Sequence, residues 1–195
     1  MLAISISTPE EAPAGHAGHR SVDDIDQVKE TWELQRDVVA KRLREGHVLH
    51  GLVDHGDLYS YCWVSRAGSH NDVFFGRQFN VPEAAVYIWD CATLPRYRNR
   101  GYYKNVLKGI QSSEPGITSA YVAVDQCNHI SRRALELVGF RVCFRYWGIR
   151  FLRRHTFCIA LWDRRLLTLQ RALTRLTRVP VATVDKAHQC PANPC

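Results

Sequence analysis

The chain has 195 residues, 46% of them apolar, and a formal net charge of +7. That length holds one domain with a small appendage, and that apolar content excludes global disorder. Residues 1–60 carry six Lys/Arg against eleven Asp/Glu and residues 61–195 carry twenty against eight, so the basic surface, nearly all of it Arg, belongs to the second part and suits a planar anion such as phosphate.

In chain order, residues 1–20 read as a loose Pro-, Gly- and His-rich segment in which Leu2 to Ile6 could add an edge strand. Ser21 opens a helical pattern with acids at Asp23, Asp24 and Asp26, an apolar stripe of Val28, Trp32, Val39 and Leu43, and Gly46 as its stop. His47–Val53 and Leu58–Ser65 read as a hairpin turning at Asp54-His55-Gly56-Asp57, with a short strand at Val73–Phe75 in the ambiguous stretch that follows. A strand at Ala84–Thr93, a helix at Tyr102–Gln111, a strand at Thr118–Val124 and a helix at His129–Val138 stopped by Gly139 come next. Phe140–Phe151 and Thr156–Trp162 form a last hairpin, and Arg164–Arg178 a terminal helix. The order predicts a mixed sheet with helices on both faces. The predicted organisation is a segment over residues 1–20, a domain over 21–162, and a basic amphipathic helix with a tail over 163–195.

The stretch from Thr93 to Tyr103 carries the chemistry. A strand, a basic Gly-containing turn and a helix start together make a phosphate cradle, because N–H groups at a helix N-terminus lack partners and the macrodipole is positive there. Arg98 and Arg100 add full charges. Seven cysteines, an odd number with no Cys-x-x-Cys, read as reduced thiols of a cytoplasmic protein. No apolar run reaches a membrane span and no basic-then-apolar leader opens the chain. The pairs His16/His19 and His47/His50 have metal-compatible spacing, but without clustered Cys or carboxylates they read as solvated, and no metal is expected.

Two motifs resemble those of the GNAT superfamily of acyl-CoA-dependent N-acyltransferases. Arg98-x-x-Gly101 fits its pyrophosphate loop, with Pro95 ahead of it, and Asn128-x-x-Ser131 followed by Gly139-Phe140 fits its second segment. The resemblance covers about residues 22–162 and implies a mixed sheet splayed open between the strands ending at Thr93 and Val124, with acetyl-CoA in the gap. It implies that backbone groups around Cys91, Thr93 and Leu94 pair with the pantetheine arm, that the N–H groups of Arg98, Asn99, Arg100, Gly101, Tyr102 and Tyr103 hold the pyrophosphate, and that Asn128 meets the pantetheine side. Two positions depart from the pattern. Tyr103 stands where a small residue is usual, so its side chain must turn away from the phosphates. Leu135 stands where a tyrosine often serves as general acid.

Acyl transfer to an amine needs a proton acceptor, an N–H donor at the thioester carbonyl, and two reactants held in line. Asp90 is the candidate base, with an ion pair to an arginine as the alternative role, although strict alternation groups Tyr87, Trp89, Cys91 and Thr93 on one face and leaves Asp90 on the other unless the strand bulges. Tyr87 is a candidate relay and Tyr146 a candidate acid. Tyr61, Trp63, Tyr87 and Trp89 line an acceptor pocket or pack as core. His129 and Cys127 read as bystanders. In the terminal helix Trp162, Leu166, Leu169, Leu173 and Leu176 oppose an Arg face, which suits packing on the domain, a homodimer, or weak contact of residues 162–178 with an anionic membrane surface. No nucleic-acid module is present. The expected activity is N-acetyl transfer from acetyl-CoA to a primary amine of a small molecule. The alternatives are longer-chain acyl transfer at a membrane, and a catalytically idle CoA-binding protein.

Overall fold

A computed structural model describes residues 2–5, 18–66, 68–72, 77–81, 83–114, 116–142, 144–151, 155–162 and 165–168. Eleven strands and three α-helices lie within them, in the order β1 (Leu2–Ser5), β2 (Gly18–Val22), α1 (Arg36–Arg44), β3 (His47–Asp54), β4 (Asp57–Ser65), β5 (Gly68–Asp72), β6 (Arg77–Val81), β7 (Ala85–Thr93), α2 (Tyr102–Ser113), β8 (Ser119–Ala123), α3 (His129–Leu137), β9 (Phe144–Phe151), β10 (His155–Trp162) and β11 (Arg165–Thr168). Nine strands form one mixed sheet in the order β11-β10-β9-β1-β8-β7-β4-β3-β2, while β5 and β6 pair separately. Only β7 and β8 run parallel, with α2 as their crossover.

Local chemistry explains the elements that position the site. β3 and β4 meet through His55 (φ 47°) and Gly56 (φ 92°), a two-residue turn of the kind that matches strand twist. α3 ends in a Schellman motif: Gly139 sits at φ 92°, its N–H bonds Glu136 O, and the Phe140 N–H bonds Leu135 O. The apolar pair that accompanies this motif, Leu135 and Phe140, is buried under α2. The sheet separates two cores. One lies under α2 and α3 and includes Cys62, Val64, Val86, Ile88, Val106, Leu107 and Ile110. The other lies under α1 and includes Trp32, Val39, Leu49, Leu58 and Trp63.

Four expectations need correction. The helix predicted from Ser21 begins at Arg36. Ser21 instead pairs with His50 in β2, and Val28 and Trp32 reach the core from two 3-10 turns, the second ended by Glu33 in a left-handed conformation. Asp24 caps the first turn by accepting from the Asp26 N–H, and the Trp32 indole donates to Gly56 O. The N-terminal segment is not loose at its ends: β1 and β2 are both strands. β1 is not an edge strand either, since it pairs with β8 over four residues on one side and meets β9 at Leu2 and Phe144 on the other. Last, residues 165–168 are strand, not helix, because the edge of β10 supplies them with hydrogen-bond partners from Trp162↔Arg165 to Ile159↔Thr168. The remainder of the predicted terminal helix and the short strand at 73–75 lie outside the described residues.

Candidate active site

One side of β7 pairs with β4 as far as Thr93, opposite Ser60. The other side pairs with β8 only from Ala85↔Ser119 to Ile88↔Val122. Past Ile88 the two strands separate, and the β8-facing edge of residues 90–93 has no strand partner among the described residues. Such an edge offers a row of N–H and C=O groups to an extended amide chain. Ser60 steadies its far end, donating to Ala92 O (3.0 Å) and sharing a hydrogen bond with Thr93 Oγ1 (2.9 Å), while the Leu94 N–H bonds Tyr59 O.

A bulge lies within this free edge. Trp63 faces Trp89 and Tyr61 faces Ala92, so Asp90 and Cys91 together oppose Cys62. Asp90 takes φ 42°, a conformation that L-residues seldom adopt. The extra residue resets the alternation. Trp89 and Asp90 both turn toward α1, and Cys91 packs on the α2 side against the core. The simple alternation expected for Cys91 and Asp90 is thereby reversed, and Asp90 shares the α1-facing side with Trp89.

The Asp90 carboxylate is held by the Arg42 guanidinium of α1. That guanidinium lies 5.1 Å from the Trp63 ring centroid and 4.6 Å from that of Trp89. Trp89 is fixed in turn: its indole N–H donates to Ser65 Oγ (2.9 Å), Ser65 meets His47 Nδ1 (3.1 Å), and His47 stands edge-on to the indole. Burial lowers the His47 pKa, with Glu45 acting against it and Arg42 adding to it. Burial, reinforced by Asp90, pushes Tyr61 up to about 12, so it remains a phenol at neutral pH. Tyr87 is buried beside them, opposite Ser65 and Tyr121.

The loop after β7 closes a 3-10 turn over Pro95–Tyr97, in which the Tyr97 N–H bonds Leu94 O and the Arg98 N–H bonds Pro95 O. The Arg98 N–H is thus already engaged, a correction to its expected place in the phosphate row, while its side chain donates to Thr93 O. Asn99 (φ 62°) and Gly101 (φ 79°) then turn the chain into α2, whose first helical bond runs from the Asn105 N–H to Gly101 O. The N–H groups of the turn before Asn105 therefore have no acceptor in the helix. Lys104, which the sequence reading overlooked, passes over Gly101 and adds a third cation to Arg98 and Arg100. Tyr97 and Tyr102 pack on Tyr59 at 4.1 and 5.0 Å, and the Tyr97 hydroxyl donates to Asp57. Tyr103 turns inward to the core beside Cys91 and Cys62, where burial pushes both its phenol and the Cys62 thiol up. The cradle is left clear, as the departure at Tyr103 requires.

On the other wall, Asn128 Oδ1 accepts from the Ser131 N–H and so caps α3. Leu135 is buried and supplies no proton. Cys127 and His129 are exposed. Tyr146 lies on β9 opposite Ala160, two strands from β8; its side chain is outside the described residues.

At the far end of α2, His19 and His50 are not solvated, while His16 lies outside the described residues. His50 is fully buried, with Nε2 2.9 Å from Glu114 Oε1, inside ion-pair reach though off the line of a well-aimed hydrogen bond. His19 Nε2 lies 3.1 Å from His50 Nδ1, and Arg66 bonds both Glu114 oxygens at 2.8 and 3.1 Å. Burial works to raise the Glu114 pKa, but His50 and Arg66 outweigh it and bring it to about 2. Burial, with His50 adding to it, lowers His19 to about 4. No group of three or more metal-ligating residues occurs among the described residues.

No protein-family model and no curated protein matches the chain. Solved structures do. The aminoglycoside N-acetyltransferase AAC(6')-Iy, in complex with CoA, superposes with a TM-score of 0.50 at 18% identity over 71% of this chain and 99% of its own. A Novosphingobium aromaticivorans protein assigned to the GNAT family of acetyltransferases gives 0.46 at 15% identity over 72% of this chain, which spans 58% of that protein. An aminoglycoside acetyltransferase from an uncultured soil metagenomic sample, in complex with sisomicin, gives 0.45 at 10% identity over 64% of this chain and 88% of its own. At a TM-score of 0.50 the first of these shares the fold of this chain, a mixed, splayed sheet with helices on both faces. No helix among the described residues is long and apolar enough to cross a membrane.

Proposed function

We propose that the protein is an N-acetyltransferase that moves an acetyl group from acetyl-CoA to a primary amine of a small molecule. The observation that carries this reading is the edge of β7 past Ile88 without a strand partner among the described residues, which leads through the Pro95–Tyr97 turn to the cationic start of α2. The donor set fits the cofactor. The backbone edge of residues 90–93 suits the amides of a pantetheine arm, and the N–H groups before Asn105, flanked by Arg98, Arg100 and Lys104, suit a pyrophosphate. Acetyl-CoA supplies the activated thioester. Asp90 takes one proton of the incoming ammonium on its carboxylate, the neutral amine attacks the thioester carbonyl, and the C–S bond breaks as the second amine proton leaves with the CoA thiol. The fixed backbone holds the reactants in line.

The direct test is calorimetric titration with CoA. Arg98→Ala combined with Gly101→Glu should weaken binding at least 100-fold, because the new carboxylate stands where the phosphates go. Undiminished binding by that variant, or no CoA binding by the native chain, refutes the reading.

Buried Leu135 and the Arg42 grip on Asp90 favour one second reading, a catalytically idle CoA-binding protein. It predicts CoA binding with no thiol release across a broad amine panel, and a single measured transfer removes it. The longer-chain, membrane-surface reading rested on the terminal helix, and the described start of that segment is a strand.

A further inference from the structure

We propose that Arg42 is an internal stand-in for the acceptor: the seat formed by Trp63, Trp89 and Asp90 receives a cationic amine, which enters by displacing the guanidinium. This rests on the acyl-transfer reading above and names its substrate class.

Two indoles and a carboxylate converge on one cation, with both ring centroids within the range of a cation–π contact. The carboxylate reaches that position only because β7 bulges and Asp90 accepts a left-handed backbone. A bulge of this kind re-aims a side chain, and bulges and left-handed residues collect beside functional sites. The seat also adjoins the cleft, since Asp90 lies between Trp89 and Cys91 at the start of the free edge. Finally, the pair can exchange. The Arg42 and Asp90 side chains are 24% and 43% exposed, whereas the Glu114 carboxylate at the far end of α2 is 2% exposed.

A tethered cation competes at high effective concentration, so it lowers the apparent affinity of every cation that needs the seat. The seat itself selects for amines that carry positive charge at neutral pH, aliphatic ammonium ions above all, over neutral aromatic amines, because only a cation replaces the guanidinium between the indoles and the carboxylate. Displacing Arg42 also uncovers the carboxylate. The ammonium then passes one proton to Asp90, giving a neutral amine and a carboxylic acid, with no further reactant required.

Tetramethylammonium is the probe, titrated against the full chain with tryptophan fluorescence as readout and sodium chloride as the ionic-strength control. Arg42→Ala should bind it at least about tenfold more tightly than the native chain, and adding Asp90→Asn should reverse the gain. Arg42→Gln, which keeps most of the stem, reads the same contrast should the alanine variant not fold. Equal affinity in the native chain and a folded Arg42 variant overturns the proposal, as does failure of both variants to fold, which makes Arg42 a strut. CoA titrations on the same samples separate the two claims. Retained CoA binding with no gain in tetramethylammonium affinity sinks the stand-in alone, while a gain without CoA binding sinks the acyl-transfer reading and leaves the seat.

Discussion

At its C-terminus α2 gives way to Glu114, a buried carboxylate claimed by Arg66 and His50, with His19 behind them. At its N-terminus it begins in a turn whose N–H groups meet no acceptor in the helix and whose flanks are Arg98, Arg100 and Lys104. The same twelve-residue helix thus has one end whose charges are internally matched and one end whose cations the proposed function gives to a ligand. The first joins β2, β3, β4 and α2 and concerns stability. The second has little to lose on mutation except what it binds.

Glu114→Gln strikes the closed end hardest. It should lower the unfolding free energy by about 3 kcal/mol, near the bottom of the range for breaking a buried pair because Arg66 is half in solvent. Urea denaturation measures it, and CoA affinity should move less than twofold. A large loss of CoA binding in a folded Glu114→Gln protein would break the division between the two ends.

The pH dependence of stability comes next. His19 is depressed from 6.5 to about 4, so its contribution is complete above pH 6.5 and lost as pH falls toward 4. Glu114, depressed from 4.5 to about 2, adds a second loss below pH 4.5. The urea midpoint should therefore be flat from pH 6.5 to about 8, where the ordinary thiol range begins, and fall beneath it. His19→Leu should reduce the slope between 6.5 and 4.5, leaving the share due to His47, whose pKa is also lowered. An unchanged slope would remove His19 from the closed end.

Ser60→Ala sharpens the open end with the smallest effect. Losing its bonds to Ala92 O and Thr93 Oγ1 should cost about 1 kcal/mol. CoA binding should weaken a few-fold, since the same residues end the free edge. Calorimetry on the folded variant checks both quantities.

The open end was legible because its signals are local. Pro95, Gly101 and the arginines lie within a few residues of one another, and Gly139 marks the end of α3 by its own φ preference. The closed end was not, because His19, His50, Arg66 and Glu114 come from four separate elements and only the fold makes them neighbours. The bulge at Asp90 stood only as a condition for a related reason: no glycine or asparagine announces its left-handed residue. Ser21 and the acids after it are good helix-start chemistry, yet the edge of β3 drew Gly18–Val22 into the sheet. Arg165–Thr168 met the same fate beside β10.

The three tyrosines at the base of the loop carry one more implication. With Tyr97 and Tyr102 stacked on Tyr59, and Tyr97 tied to Asp57, the loop is anchored to the β3–β4 hairpin before any anion arrives. Little ordering entropy remains to be lost on capture. The encounter is then governed by long-range attraction between the basic turn and a polyanion, so capture should slow as added salt shortens the reach of that field, while the shape of the loop stays the same.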